Sequence, residues 1–281
     1  MKHLKNIRAM VHRGRSVRYL KLYLNFVKNC FRRETIYRFN FFVNMFTVVM
    51  GYASHILFYY FVYDTGIEQI SGWDRYQIYC LLATVWIVDS IFGGVFFFNL
   101  IKIPSKVKNY ELDGLLTKPV NSVFMLSLRQ FNFGLFSGTF FGAAFLIYSL
   151  WRGNIRVSAF GILCYLILVM CAVILLFSIL FIMVTFSLRF VRIQGLIGMY
   201  WTFMDIGKNP HSIYPMALKY GLVFIIPAIV VYNFPVQVLV GNHYLRYLNS
   251  VSTLILAIAI TSVFLTGSVF YFRKSLRYYY D

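Results

Sequence analysis

The chain has 281 residues, with 27 Lys and Arg against 9 Asp and Glu, a net charge of +18, 60% hydrophobic residues and a mean hydropathy of +0.69. Such a charge would suit nucleic acid, but the apolar content leaves no room for a soluble nucleic-acid-binding domain. No G-x-x-x-x-G-K-[ST], H-E-x-x-H or G-x-S-x-G is present, which argues against a P-loop ATPase, a zinc hydrolase or a serine hydrolase.

In chain order, a basic cytoplasmic arm over 1–38 comes first. Leu20, Leu24, Val27 and Phe31 recur at helical spacing, with Lys21, Lys28, Arg32 and Arg33 turned elsewhere. This pattern predicts an interfacial amphipathic helix held by apolar burial and by anionic membrane lipid. No acid precedes Glu34, so a transit peptide is the other reading of the arm.

Six apolar stretches follow, over 39–62, 76–101, 130–150, 157–188, 220–240 and 251–272. Each is close to or above the ~20 residues that a helix needs to cross a bilayer. Nothing alternates in the manner of a membrane barrel. The expected fold is therefore all-α and integral to the membrane: six transmembrane helices forming one domain over 39–281. Of the Lys and Arg, 21 fall in the arm, the second and fourth connections and the tail. Only Arg75, Arg152, Arg156 and Arg246 fall on the other side, with Arg129 and Lys219 at span ends. The positive-inside rule places both termini in the cytoplasm.

Asp89, flanked by Trp86, Ile87, Val88 and Ile91, is the one acid inside a span, and no Lys or Arg within the apolar runs is placed to pair with it. An ionised carboxylate there is costly, so it is expected to face protein or a wet cavity, as a structural hydrogen-bonding group or as a transport residue. In the third stretch Gly134, Gly138 and Gly142 form one small-residue stripe, which predicts close packing with a helix of this chain or another. The fourth stretch is long enough to require tilt or an interfacial turn. Pro210, Pro215, Pro227 and Pro235 punctuate the fifth, which is expected to end early, with 227–242 as a short re-entrant or interfacial element. Cys30, Cys80, Cys164 and Cys171 are scattered and read as structural thiols, and the five histidines have no spacing that suggests a metal site.

The segment Tyr110-Glu111-Leu112-Asp113-Gly114-Leu115-Leu116-Thr117-Lys118-Pro119-Val120-Asn121 resembles the G-x-L-D-x-L-L-x-K-P-V-N signature of ABC transporter permeases of the ABC-2 type, with Tyr110-Glu111 where the family usually has its glycine. The resemblance extends through Pro210 to Pro215, Ile226-Pro227, Asn233 to Pro235 and the tail from Arg273 to Tyr280. It implies the membrane subunit of an exporter, with an elbow helix before the first span and a coupling helix within 102–121. ATP and Mg would be bound by a separate ABC ATPase subunit, and this chain would bind no cofactor itself. A second permease copy or a related chain would complete the assembly in a bacterial inner membrane, with membrane lipid around it and no nucleic acid. The coupling residues would be Tyr110, Glu111, Leu112, Asp113, Leu115, Leu116, Lys118 and Pro119. The route for an amphiphilic or apolar substrate would be lined by Trp86, Asp89, Phe96 and Phe97. A proton-coupled secondary transporter using Asp89 is the rival, but the inverted repeats and paired broken helices it should show are missing.

The charge asymmetry yields an expected labelling pattern. In sealed cells an impermeant thiol reagent should modify Gly72→Cys and Asn154→Cys and leave Ser105→Cys untouched; labelling at 105 would reverse the topology.

Overall fold

The computed structural model describes residues 2–117, 119–189, 194–241 and 249–280, with the backbone alone for 2–17, 194 and 278–280. Apolar runs in which every backbone group must be paired internally become helices. Helix α1 (Lys2–Ile36) is separated from α2 (Arg38–Asp64) only by Tyr37. A hairpin of β1 (Gln69–Ile70) and β2 (Trp73–Asp74) caps the far end. Its turn residues Ser71 and Gly72 have φ of 51° and 83°, the left-handed pair that suits a two-residue hairpin. The chain returns through α3 (Arg75–Phe92), a π-turn over Gly93–Phe97, α4 (Phe98–Leu100) and α5 (Ile103–Lys108). Short helices α6 (Asp113–Leu116), α7 (Ser122–Ser127) and α8 (Phe133–Phe136) lead into α9 (Gly138–Arg152). Then come α10 (Ala159–Thr185), α11 (Gln194–Gly207), α12 (Met216–Phe224), α13 (Ala228–Val240) and α14 (Ser250–Tyr280).

Among the described residues five helical segments can cross a membrane by length and composition, Arg38–Asp64, Arg75–Lys108, Phe133–Arg152, Ala159–Leu188 and Ser250–Arg277, and α12 with α13 makes a sixth if that bent pair counts as one span. The core lies where α3, α10 and α13 meet, around Leu81, Val88, Leu180, Phe181, Tyr232 and Phe234. Helix α10, 27 residues long, spans about 40 Å at 1.5 Å per residue, so it exceeds the hydrocarbon thickness without tilt.

The fifth stretch is broken early, as its prolines lead one to expect. Helices α12 and α13 are bent by 99° across Ile225–Pro227, so 220–240 is not one continuous helix. Helix α11, about 21 Å long, lies beside the end of α3 and the π-turn. Its Trp201 ring lies 5.2 Å from Phe97 and its Tyr200 ring 6.3 Å from Phe92. Further along, Asn209 accepts from the Tyr59 hydroxyl of α2 at 3.1 Å. Every residue of α13 from Ala228 to Leu239 is buried among its neighbours. Asn242, the end of the predicted re-entrant element, lies outside the described residues.

Irregular backbone at membrane depth is satisfied locally, as an apolar surrounding demands. The Gly94 carbonyl in the π-turn accepts from Asn132 N–H at 2.9 Å. The Asn99 amide pairs with Gln130 like a strand neighbour, donating to its carbonyl at 2.7 Å and accepting from its N–H at 2.8 Å. Asn233 closes the end of α11: its Nδ2 donates to Gly207 O (2.8 Å) and Asn209 O (3.2 Å), and its Oδ1 accepts from His211 N–H at 2.9 Å.

The glycine stripe faces α2 and α3 of the same chain. A Cβ at Gly134 would stand 2.8 Å from Asn44 Cβ, one at Gly138 would overlap Ser90 Oγ, and one at Gly142 would stand 3.1 Å from Ile87 N and 3.2 Å from Ala83 O. Backbone cannot yield as a flexible side chain does. Gly142→Ala should therefore lower stability by about 1–3 kcal/mol, whereas Gly267→Ala in α14, where a Cβ meets open space, should be neutral or gain up to about 1 kcal/mol. Thermal unfolding of the two purified variants in one detergent checks the contrast.

Candidate functional site

Asp89 sits on the α3 face that looks toward α2, α11 and α13. Its Oδ1 accepts from the Tyr232 hydroxyl at 2.7 Å and its Oδ2 from the Tyr52 hydroxyl at 3.2 Å. Lys208, immediately after α11, brings Nζ to 3.2 Å from Asp89 Oδ2 and 2.8 Å from Asp205 Oδ1. The ammonium also stands 5.8 Å from the Trp201 ring, a cation–π distance. The expectation that Asp89 lacks a cationic partner is thus corrected: Lys208, from outside the apolar runs, supplies one. Hydropathy assigns Lys208 to a cytoplasmic connection because 194–207 is too short to read as a span. The readable signal was Asp205 and Lys208, three apart and ending an apolar helix.

Two cavities flank this cluster. One of about 520 Å³ lies between α2 and α11, bordered by Gly51, Tyr52, His55, Tyr59, Asp205, Lys208 and Asn209 among others. The second, about 240 Å³, is lined by Asp89, Ser90, Phe97, Trp201 and Lys208 among others. The predicted route residues are thereby divided. Asp89 and Phe97 line the smaller cavity, whereas Trp86 is buried between the rings of Tyr52 (4.9 Å) and Phe141 (6.2 Å), and Phe96 packs on Phe177 of α10 at 5.0 Å. Tyr52 and Tyr232, which supply two of the hydrogen bonds to Asp89, carried no sequence signal in a chain with 22 tyrosines.

At the end of the bundle that carries the basic arm, α1 has three faces. Leu20, Leu24 and Phe31 are exposed; Tyr19, Leu22, Phe26 and Cys30 turn toward the protein; Arg18, Lys21, Lys28 and Arg32 occupy the rest. The protein-facing side is stitched to 121–133. Tyr19 Oη accepts from Asn121 N–H at 3.1 Å, Cys30 Sγ from Phe131 N–H at 3.3 Å, and Glu34 Oε1 from Phe133 N–H at 3.0 Å. Burial pushes the Glu34 carboxyl above its usual range, opposed by the Phe133 N–H and by Arg33.

The segment 102–121 folds as α5 and α6 around a turn, in place of one continuous helix. Tyr110, at φ 57°, sits in the left-handed region that glycine enters freely, at the position where the ABC-2 signature has glycine. The turn presents Tyr110, Glu111, Asp113 and Pro119 outward, Tyr110 at 80% exposure. Leu112 and Leu115, by contrast, are buried in this chain and Leu116 is half-buried. Of the expected coupling residues, Leu112 and Leu115 thus face this chain's own interior, where they anchor the tip. Lys118 lies outside the described residues.

A family model described as ABC-2 family transporter protein matches residues 49–280. No curated protein and no solved structure matches the chain.

The ion pair makes a thermodynamic prediction. Lys208→Met leaves Asp89 without its cation and should cost about 3 kcal/mol, while the double variant Asp89→Asn with Lys208→Met should recover much of that loss. Unfolding of the single and double variants measures the coupling, and strictly additive losses would show that the pair does not interact.

Proposed function

Because the chain belongs to the ABC-2 family of transporter proteins, we propose that it is the membrane subunit of an ATP-driven exporter that moves an amphiphilic or apolar substrate outward. The observation that carries the ATP-coupled part is the tip at 110–113: an outward tyrosine and two outward carboxylates mounted on buried Leu112 and Leu115. A docking element must be exposed in its contact groups and rigid at its base, or an applied displacement would be absorbed before it reached the spans. This tip joins α5, which follows α3 through the π-turn and α4, and its return segment 121–133 is fastened to α1.

In this reading ATP and Mg are held by a separate P-loop polypeptide, for which this chain has no motif of its own. Two permease chains, identical or related, face each other in a bacterial inner membrane with their termini in the cytoplasm. The cavity between α2 and α11 lies on the substrate route. Nucleotide binding biases the pair between states because the ATPase dimer has different affinities for them, the only way a ligand shifts such an equilibrium.

Glu111→Lys with Asp113→Lys should reduce substrate-stimulated ATP hydrolysis by tenfold or more in the reconstituted assembly while leaving insertion of the chain unchanged. A photo-crosslinker at 110 should capture the P-loop subunit. Capture of lipid or of this chain alone would remove the ATP-coupled reading.

A further inference from the structure

The cavity between α2 and α11 carries unbalanced charge. On the α2 side its border includes Tyr52, His55 and Tyr59, which spacings of three and four residues put on one helical face. On the other side are Asp205, Lys208 and Asn209, with Asp89 directly behind Lys208. Two carboxylates therefore meet one ammonium. Lys208 is already held from both sides, at 3.2 Å by Asp89 and 2.8 Å by Asp205. Asp89 also receives two tyrosine hydroxyls. Asp205 is supplied differently: among the described residues its carboxylate contacts Lys208 alone, and its side chain is 62% exposed at the cavity edge. In the adjoining cavity Ser90, only 4% exposed, has an Oγ without a hydrogen-bond partner among the described residues. Thus two of the chain's nine acids converge at one point of the membrane domain, in a protein of net charge +18.

We propose that this cavity is a recognition site for an organic monocation, an amphiphile bearing an ammonium or phosphonium group. The cation lies against the Asp205 carboxylate, and the apolar body lies along the rings of Tyr52 and Tyr59. A carboxylate beside a protein-lined cavity attracts a cation more strongly than one in bulk water, and aromatic faces add to the attraction. An anion would meet two carboxylates, with the Lys208 ammonium already engaged by both. The inference rests on the transporter reading above, which it deepens by naming the class of substrate.

The test measures equilibrium binding to the full chain in phosphatidylcholine nanodiscs, without any ATPase, using tetraphenylphosphonium and its isosteric anion tetraphenylborate. The expected result is saturable binding of the phosphonium to the wild type and none of the borate. Asp205→Asn should weaken the phosphonium about tenfold, and Asp205→Glu should restore it. Equal saturable binding of both probes, preference for the borate, or phosphonium affinity unchanged in Asp205→Asn would each overturn the proposal. The isosteric pair is compared on the wild type itself, so a variant that fails to insert does not remove the test. Failure of the crosslink at 110 alongside selective phosphonium binding would sink ATP coupling and leave the cation site standing; the reverse would sink only the cation site.

Discussion

A carboxylate on an apolar helix must be neutralised, hydrogen-bonded or hydrated, and at Asp89 the first two requirements are met by three other parts of the chain. Tyr52 comes from α2, Lys208 from the end of α11 and Tyr232 from α13. Helix α3 is thereby fixed against all three, and the aromatic contacts of Trp201 with Phe97 and of Tyr52 with Trp86 extend the same registration along the helices. Apolar side chains alone would hold such helices together with little preference for register, since lipid tails are as apolar as leucine. A charged and hydroxyl-bonded centre restricts that freedom, because every shifted register leaves a buried polar group unpaired.

The same economy governs the breaks in the helices. The π-turn at Gly93–Phe97 frees the Gly94 carbonyl, and the extended backbone before α8 supplies the Asn132 N–H to meet it. Asn99 and Asn233 each serve two or more main-chain groups where a helix ends or a loop enters the bundle. The glycine stripe at 134, 138 and 142 brings the third crossing close to α3, where the Asn132–Gly94 bond forms. Irregular structure here is confined to places where a neighbour supplies the missing donor or acceptor.

The tip at 110–116 obeys a related constraint from the solvent side. Leu112 and Leu115 are buried so that the excursion beyond α5 holds its shape, and the carboxylates of Glu111 and Asp113 are left outside. Tyr110 occupies a left-handed backbone conformation that costs about 1–2 kcal/mol for a side-chain-bearing residue. In return the turn projects a phenol ring where glycine would offer none.

Length and apolarity by themselves determined that the chain is helical and membrane-spanning, because a run of ~20 apolar residues has no other way to pair its backbone in lipid. The outward acids of the tip and the amphipathic arm were also legible, since exposure follows charge and helical spacing. What only the tertiary structure decided were the relations between distant segments. Hydropathy could not seat 194–207 against α3, because a helix of 14 residues is too short to register as a span when a bent pair follows it. It therefore could not bring Lys208 to Asp89, 119 positions away in the chain. The leucines at 112 and 115 read as a docking surface because a short amphipathic segment has an apolar face whichever way it turns. Only the surrounding helices show that this face is turned inward.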